Sequence, residues 1–244
     1  MIELSDINST LYNGEVISAY IQCLKTAFAN SVLQPDFWQQ TDKSGKICGI
    51  IARHGTRAYI ADNGIANIDE VKEFISLIGF SEIFCTSKLA KKLGETEYAD
   101  FCVMHRRQSG TALPFTNDIR LLSLYDKLFC EKSAKMPTPE FEAFATDVSH
   151  RLRHNAAVAV CEPNGAALAF KSEKCAIING ITVKAEYRKN GIGSSMLQKL
   201  CTMLQGDIFL CCTHDNITFY QNNGFSLCDT AVILNNGGNY ATLF

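Results

Sequence analysis

The run Cys175 to Val183 has the β-branched, apolar character of a strand, and it leads through a charged turn, Arg188-Lys-Asn-Gly-Ile-Gly193, into apolar residues spaced three and four apart. Ile192, Met196, Leu197, Leu200, Met203 and Leu204 form one face of that helix, Gly206 is expected to end it, and Asp207 to Thr213 reads as the next strand. Strand, glycine turn, helix and strand in this order confine the chain to a layered α/β fold, because the helix must bury its apolar face on the sheet that its flanking strands enter.

The same rhythm extends on both sides. Asp118 to Ser123 reads as a short strand, Pro139 to Arg153 as a helix with Thr138 as its cap, and Ala156 to Cys161 and Ala166 to Lys171 as strands around the turn Pro163-Asn164-Gly165. Asp215 to Asn223 reads as a short helix closed by Gly224, and Phe225 to Leu234 as a strand. The first half repeats the order. A helix carries Val16, Ile17, Tyr20, Ile21, Leu24 and Phe28, and Lys46 to Ile51 with Arg57 to Ala61 reads as a hairpin. A helix from Asp69 to Ile78, a strand from Glu82 to Thr86, a helix from Ser87 to Leu93 closed by Gly94, and a strand around Phe101 to His105 complete it. Asn63-Gly64-Ile65-Ala66 aligns with Asn190-Gly191-Ile192-Gly193, and Lys92-Leu93-Gly94 with Asn222-Asn223-Gly224. These matches predict an internal duplication of a mixed α+β unit over 1–107 and 117–244, joined by Gln108 to Thr116. The alternative is two halves that share a helix-strand rhythm by chance.

Composition narrows the function. With 47% hydrophobic and 20% charged residues the chain has globular values, and a length of 244 residues permits a substantial core. No apolar segment approaches the roughly 20 residues that cross a bilayer, and the opening residues lack signal-peptide regions, so a cytoplasmic protein without membrane contact is expected. Eleven cysteines with no Cys-x-x-Cys pair are expected to be reduced thiols and to hold no metal. A net charge of −2 without a dense basic cluster argues against nucleic acid as partner.

The glycine turn has its own chemistry. Its backbone amides at a helix N-terminus, with Arg188 and Lys189 beside them, suit an anion, and Gly191 and Gly193 remove side chains that would block close approach. The residues Arg188, Lys189, Asn190, Gly191, Ile192, Gly193 and Ser194 are therefore candidates to cradle a pyrophosphate. A P-loop would end in Gly-Lys-Ser/Thr, whereas this turn ends Gly193-Ser194-Ser195, and a dinucleotide fingerprint would need glycine where Met196 stands.

Together with the downstream Phe219-Tyr220-x-x-x-Gly224-Phe225, the turn resembles the GNAT superfamily of N-acetyltransferases, over roughly Asp118 to Leu234. Ala185 replaces the family's usual proline, Lys189 its first glycine, and Thr213 its usual asparagine, for which Asn216 is the substitute. The resemblance implies two tandem acyl-CoA N-acyltransferase-like domains, the first degenerate. It implies acetyl-CoA as cosubstrate, with pantetheine along Ile181 and Val183, the Val183 amide on the thioester carbonyl, and Tyr220 protonating the departing thiolate or hydrogen-bonding to it. The acceptor would be a small-molecule amine or a protein amino group. An acyl-CoA sensor without turnover is the alternative. Glu173, Glu186, His214 and Asp215 are candidate bases by type, beside a water-relayed path. In the first half Ala61 and Asp62 stand at the positions of Arg188 and Lys189, and Ala90 at that of Tyr220, so that half is expected to bind no cofactor. Oligomeric state stays open.

Overall fold

The computed structural model describes residues 1–4, 12–29, 31, 35–95, 98–114, 119–130 and 138–235. The end of the expected connection, the first residue of the expected second unit and Asp118 lie outside them. The first half supplies β1 (Ile2–Leu4), α1 (Val16–Phe28), β2 (Asp36–Thr41), β3 (Ile47–His54), β4 (Arg57–Asp62), α2 (Ile68–Ile78), β5 (Glu82–Thr86), α3 (Ser87–Leu93) and β6 (Ala99–Gln108). The second supplies α4 (Leu121–Leu128), α5 (Phe141–Arg153), β7 (Ala157–Glu162), β8 (Gly165–Lys171), β9 (Cys175–Val183), α6 (Ile192–Thr202), β10 (Gly206–Cys212), α7 (Ile217–Asn222) and β11 (Ser226–Asn235).

All the strands join one mixed sheet in the order β1-β2-β3-β4-β5-β11-β6-β10-β9-β8-β7. Each half contributes one parallel pair, β4 with β5 and β9 with β10, and the other pairs are antiparallel. Read from either end inward, each half lays down its own strands and then one from the other half. The first half's β6 lies beside β10, and the second half's β11 lies beside β5. Pairing thus crosses the boundary between 1–107 and 117–244 in both directions, with β6 and β11 paired to each other at the centre.

Helices cover both faces. α2 and α3 pack on Ile51, Ile60, Ile83 and Val232, and α6 and α7 on Met104, Ile178, Ile208 and Leu210. On the opposite face α4 and α5 cover Ala157, Ala166 and Leu168. On the face opposite α2, α3, α6 and α7, α1 is buried on nearly every side, as expected of a helix that carries Val16, Ile17, Ala19, Ile21, Cys23, Leu24, Ala27 and Phe28. It touches β3, β4 and β5 of the first half and β8, β9 and β10 of the second, so the sheet curls around it.

Three expectations need correction. No strand forms over 119–123; α4 begins at Leu121, because Leu121, Leu124 and Leu128 recur at helical spacing and Leu124 and Leu128 are buried. Thr138 does not cap α5, which begins at Phe141 after Glu140 with no side-chain cap. Gly206 does not end α6, which stops at Thr202. Gly206 opens β10 at φ +76°, where an added Cβ would fall 2.0 Å from the Lys174 carbonyl oxygen, so glycine is required there.

Candidate active site

β9 and β10 run side by side only from Cys175 opposite Asp207 to Ile178 opposite Leu210. One residue later the ladder between β8 and β9 shifts register: Leu168 faces Gly180 while Ala169 faces Ile178, leaving Asn179 as an extra residue. Such a bulge bends its strand, so β9 turns away where pairing with β10 ends. Beyond it Asn179 to Val183 present an edge that β10 does not reach, while Cys211 and Cys212 keep their pairing with Val103 and Cys102 of β6. α4 supports this stretch from the other face, with Leu128 against Gly180 at 3.5 Å from its would-be Cβ, and the Thr182 hydroxyl donating to the Leu128 carbonyl at 2.8 Å. Ile181 and Val183 lie half-buried on the open edge.

The turn that follows folds back on this edge. A short 3₁₀ turn over Ala185–Tyr187 brings the Arg188 Nε to donate to the Val183 carbonyl at 3.0 Å. Lys189 has φ +63°, a left-handed conformation, at the position where the family resemblance places glycine. The first bond within α6 runs from the Ser195 amide to the Gly191 carbonyl at 3.0 Å, which leaves the amides of Ile192, Gly193 and Ser194 without an intrahelical acceptor. The two glycines serve different ends. Gly191 has φ +77° with open space around it, whereas Gly193 makes room: an added Cβ would meet the Phe219 ring at 3.4 Å and Val183 Cγ2 at 3.6 Å. Arg188, Lys189, Asn190 and Gly191 are exposed, and Ile192, Gly193 and Ser194 are half-buried.

α7 closes the arrangement. Tyr220 is 8% exposed, with its ring set edge-on against Phe219 at 5.0 Å and Phe225 at 6.0 Å. Burial, and after it the nearby Cys212 thiol, drives the Tyr220 hydroxyl far above the usual tyrosine range, so it stays protonated. Asn216 is exposed at the start of α7, and its Nδ2 donates to the Thr213 hydroxyl at 3.2 Å, so the two residues expected to replace one asparagine are in contact.

The candidate bases come from three separate turns. Glu173 lies in the turn before β9, at the end of that strand remote from the opening, and Glu186 and Asp215 are exposed in 3₁₀ turns. His214 is exposed, with Nδ1 3.3 Å from Cys102 Sγ and Nε2 3.6 Å from Asp100 Oδ2. Among the described residues no group of three or more His, Cys, Asp or Glu side chains could hold a metal ion. Three contributors escaped the sequence reading: Asn179, Phe219 as the partner of Gly193, and Asn223, which is 6% exposed between α6 and α7. Asn179-Gly180 inside an apolar strand was the one visible sign of the bulge.

In the first half the aligned turn is held by an acidic residue of its own. Gly64 has φ +95° like its counterpart Gly191, but Asp62 Oδ1 accepts from the amides of Gly64 at 2.9 Å and Ile65 at 2.8 Å, and Asp62 Oδ2 pairs with Lys92 Nζ at 2.6 Å. A carboxylate of the chain itself fills the cradle. At the position of Tyr220, Ala90 is fully buried, and the ladder between β3 and β4 runs without a bulge.

Residues 122–225 match the Acetyltransferase (GNAT) family, so the second half carries a GNAT domain. Solved structures extend the likeness to nearly the whole chain. A tandem GNAT protein from the clavulanic acid biosynthesis pathway superposes with a TM-score of 0.51 at 12% identity, covering 96% of this chain and 97% of that one. A GCN5-related N-acetyltransferase from Kribbella flavida gives 0.54 at 12% identity, with 92% and 95% covered, and one from Sphaerobacter thermophilus gives 0.55 at 12% identity, with 84% and 82% covered. At these identities the likeness is one of fold, and the fold is that of tandem GNAT proteins. No curated protein matches the chain.

Proposed function

We propose that the protein is an acetyl-CoA-dependent N-acetyltransferase that acetylates a primary amine by direct attack in a ternary complex. The observation that carries this reading is the bulge at Asn179, which parts β9 from β10 directly upstream of a helix N-terminus with three amides lacking an intrahelical acceptor. These residues fit the cosubstrate: the amides of Ile192, Gly193 and Ser194, with Arg188 and Lys189 beside them, hold the pyrophosphate. The open edge from Ile181 to Val183 takes the pantetheine arm, with Asn216 at its mouth, and the Val183 amide polarises the thioester carbonyl. The amine nitrogen bonds to the acetyl carbon as the carbon-sulfur bond breaks, and the amine's proton leaves to water. The thiolate accepts a hydrogen bond from Tyr220 and takes its proton from solvent. A tyrosine held far above its usual range is a steady donor rather than a ready acid.

Release of free thiol from acetyl-CoA, measured against small amines, polyamines and peptide amino groups, tests the proposal. Thiol release that depends on one acceptor class supports it. Tight CoA binding with no release from any amine would instead make the protein an acyl-CoA sensor.

A further inference from the structure

We infer that Asn223 is a positioning residue that joins the anion cradle to the helix carrying Tyr220, and that it acts by orienting the Ser194 hydroxyl. The inference rests on the acetyl-CoA reading above. Asn223 Nδ2 lies 2.8 Å from the Phe219 carbonyl and 3.1 Å from Ser194 Oγ. A carbonyl only accepts, so the NH₂ end of the amide must face Phe219, and the same group then donates to Ser194. The Asn223 backbone carbonyl is itself gripped, by Arg106 Nη1 at 3.1 Å and Gln198 Nε2 at 3.4 Å. Ser194 is the third residue of α6, inside the turn whose amides have no intrahelical acceptor.

A hydroxyl that accepts one hydrogen bond keeps its single proton to donate. With one of its two lone pairs held by Asn223, Ser194 is biased to aim that proton at the cradle and so to add a donor to the three amides. Without Asn223 the hydroxyl can rotate and donate to a carbonyl of the preceding turn, Asn190 or Gly191. The contact also couples the two ends of the site: Asn223 holds the Phe219 carbonyl, Phe219 packs on Gly193, and Tyr220 follows directly in the chain.

Calorimetric titration with coenzyme A of the full chain, Ser194→Ala, Asn223→Ala, their double variant and Asn223→Asp tests this. Loss of the serine donor should weaken CoA binding about tenfold, since a hydrogen bond to a charged group is at stake. Asn223→Ala should cost about three- to tenfold, and the double variant should bind within about twofold of Ser194→Ala, because both substitutions remove one donor. Asn223→Asp keeps the side-chain volume but draws the serine proton inward and sets a carboxylate near the anion, so it should bind more weakly than Asn223→Ala. Wild-type affinity in Asn223→Ala with only a lowered melting point, losses that multiply in the double variant, or an Asn223→Asp protein that binds as well as Asn223→Ala would each overturn the inference alone. A wild-type chain that binds no CoA would overturn the acetyl-CoA reading with it.

Discussion

Tyr220 in the second half and Asp62 in the first show how environment decides what a residue can do. The Tyr220 hydroxyl is pushed up by burial and then by Cys212, so it remains a neutral donor through the range in which amines lose their protons. Tyr220→Phe should leave CoA affinity unchanged and slow transfer about 10- to 100-fold, the worth of one hydrogen bond to a thiolate. A loss beyond about 10³-fold would mean full proton transfer by the tyrosine. Wild-type activity versus pH should show no decline from Tyr220 below about pH 10, the ordinary tyrosine value. A descending limb between pH 8 and 10 that disappears in Tyr220→Phe would contradict this. At Asp62 burial acts to raise the carboxyl, but the bond to Lys92 and the amides of Ile65 and Gly64 outweigh it and hold the group below its usual range. A depressed folded value means stability that is present above the unfolded value, about pH 4, and is lost as pH falls through the folded one. Asp62→Asn should therefore be about 1 to 2 kcal/mol less stable than wild type at neutral pH, with the gap closing in acid. Denaturant melts at pH 7 and pH 3 check it, and a gap that widens in acid would refute the assignment.

At the scale of elements, the glycine turn separates conformational need from steric need. Gly191→Ala meets no neighbour but forces a side chain into a left-handed residue, which should cost about 1 to 2 kcal/mol of stability. Gly191→Asp adds a carboxylate to an anion site as well. CoA at about 100 times its dissociation constant should stabilise the wild type by about 2.7 kcal/mol, and Gly191→Asp should abolish that gain. An undiminished CoA-induced melting shift in Gly191→Asp would remove the cradle from this turn. Sequence made this turn legible because a strand, two glycines and a helical apolar period are all local signals. The elements around it were legible for the same reason, down to the closure of α3 by Gly94 at φ +88°. α4 was misread because Asp118 to Ser123 is too short to separate alternation from a helical period, and Leu124 and Leu128 lay beyond the window. β2, Asp-Phe-Trp-Gln-Gln-Thr, was missed because its Gln40 is polar yet buried, satisfied by Asn67, Glu70, Cys48 and Ala66 through tertiary contacts that no local pattern encodes. The bulge at Asn179 and the Asn223–Ser194 contact belong to the same class: both are relations between strands or helices distant in sequence.

Duplication was legible in the order of elements, but the exchange of strands was not, since a strand's own residues do not say which half of a sheet it joins. That exchange makes the halves interdependent. β6, from the first half, fills the place beside β10, and its Arg106 grips the Asn223 carbonyl behind the Tyr220 helix. β11 runs antiparallel to β6, and β6 antiparallel to β10, so β11 runs parallel to β10 and cannot take over β6's ladder by moving sideways. Residues 117–244 produced alone should therefore expose unpaired edges on β10 and β11, associate or stay unfolded, and show no CoA-induced melting shift. Supplying residues 1–116 as a separate chain should restore one CoA site per pair. The intact chain should likewise titrate with one CoA, because Asp62 already holds the first half's turn, and Gly64→Asp should leave affinity unchanged where Gly191→Asp destroys it. A monomeric 117–244 fragment that binds CoA as tightly as the full chain would show that β6 is dispensable. Two equivalent sites on the intact chain would show that the carboxylate in the first cradle yields to a pyrophosphate after all.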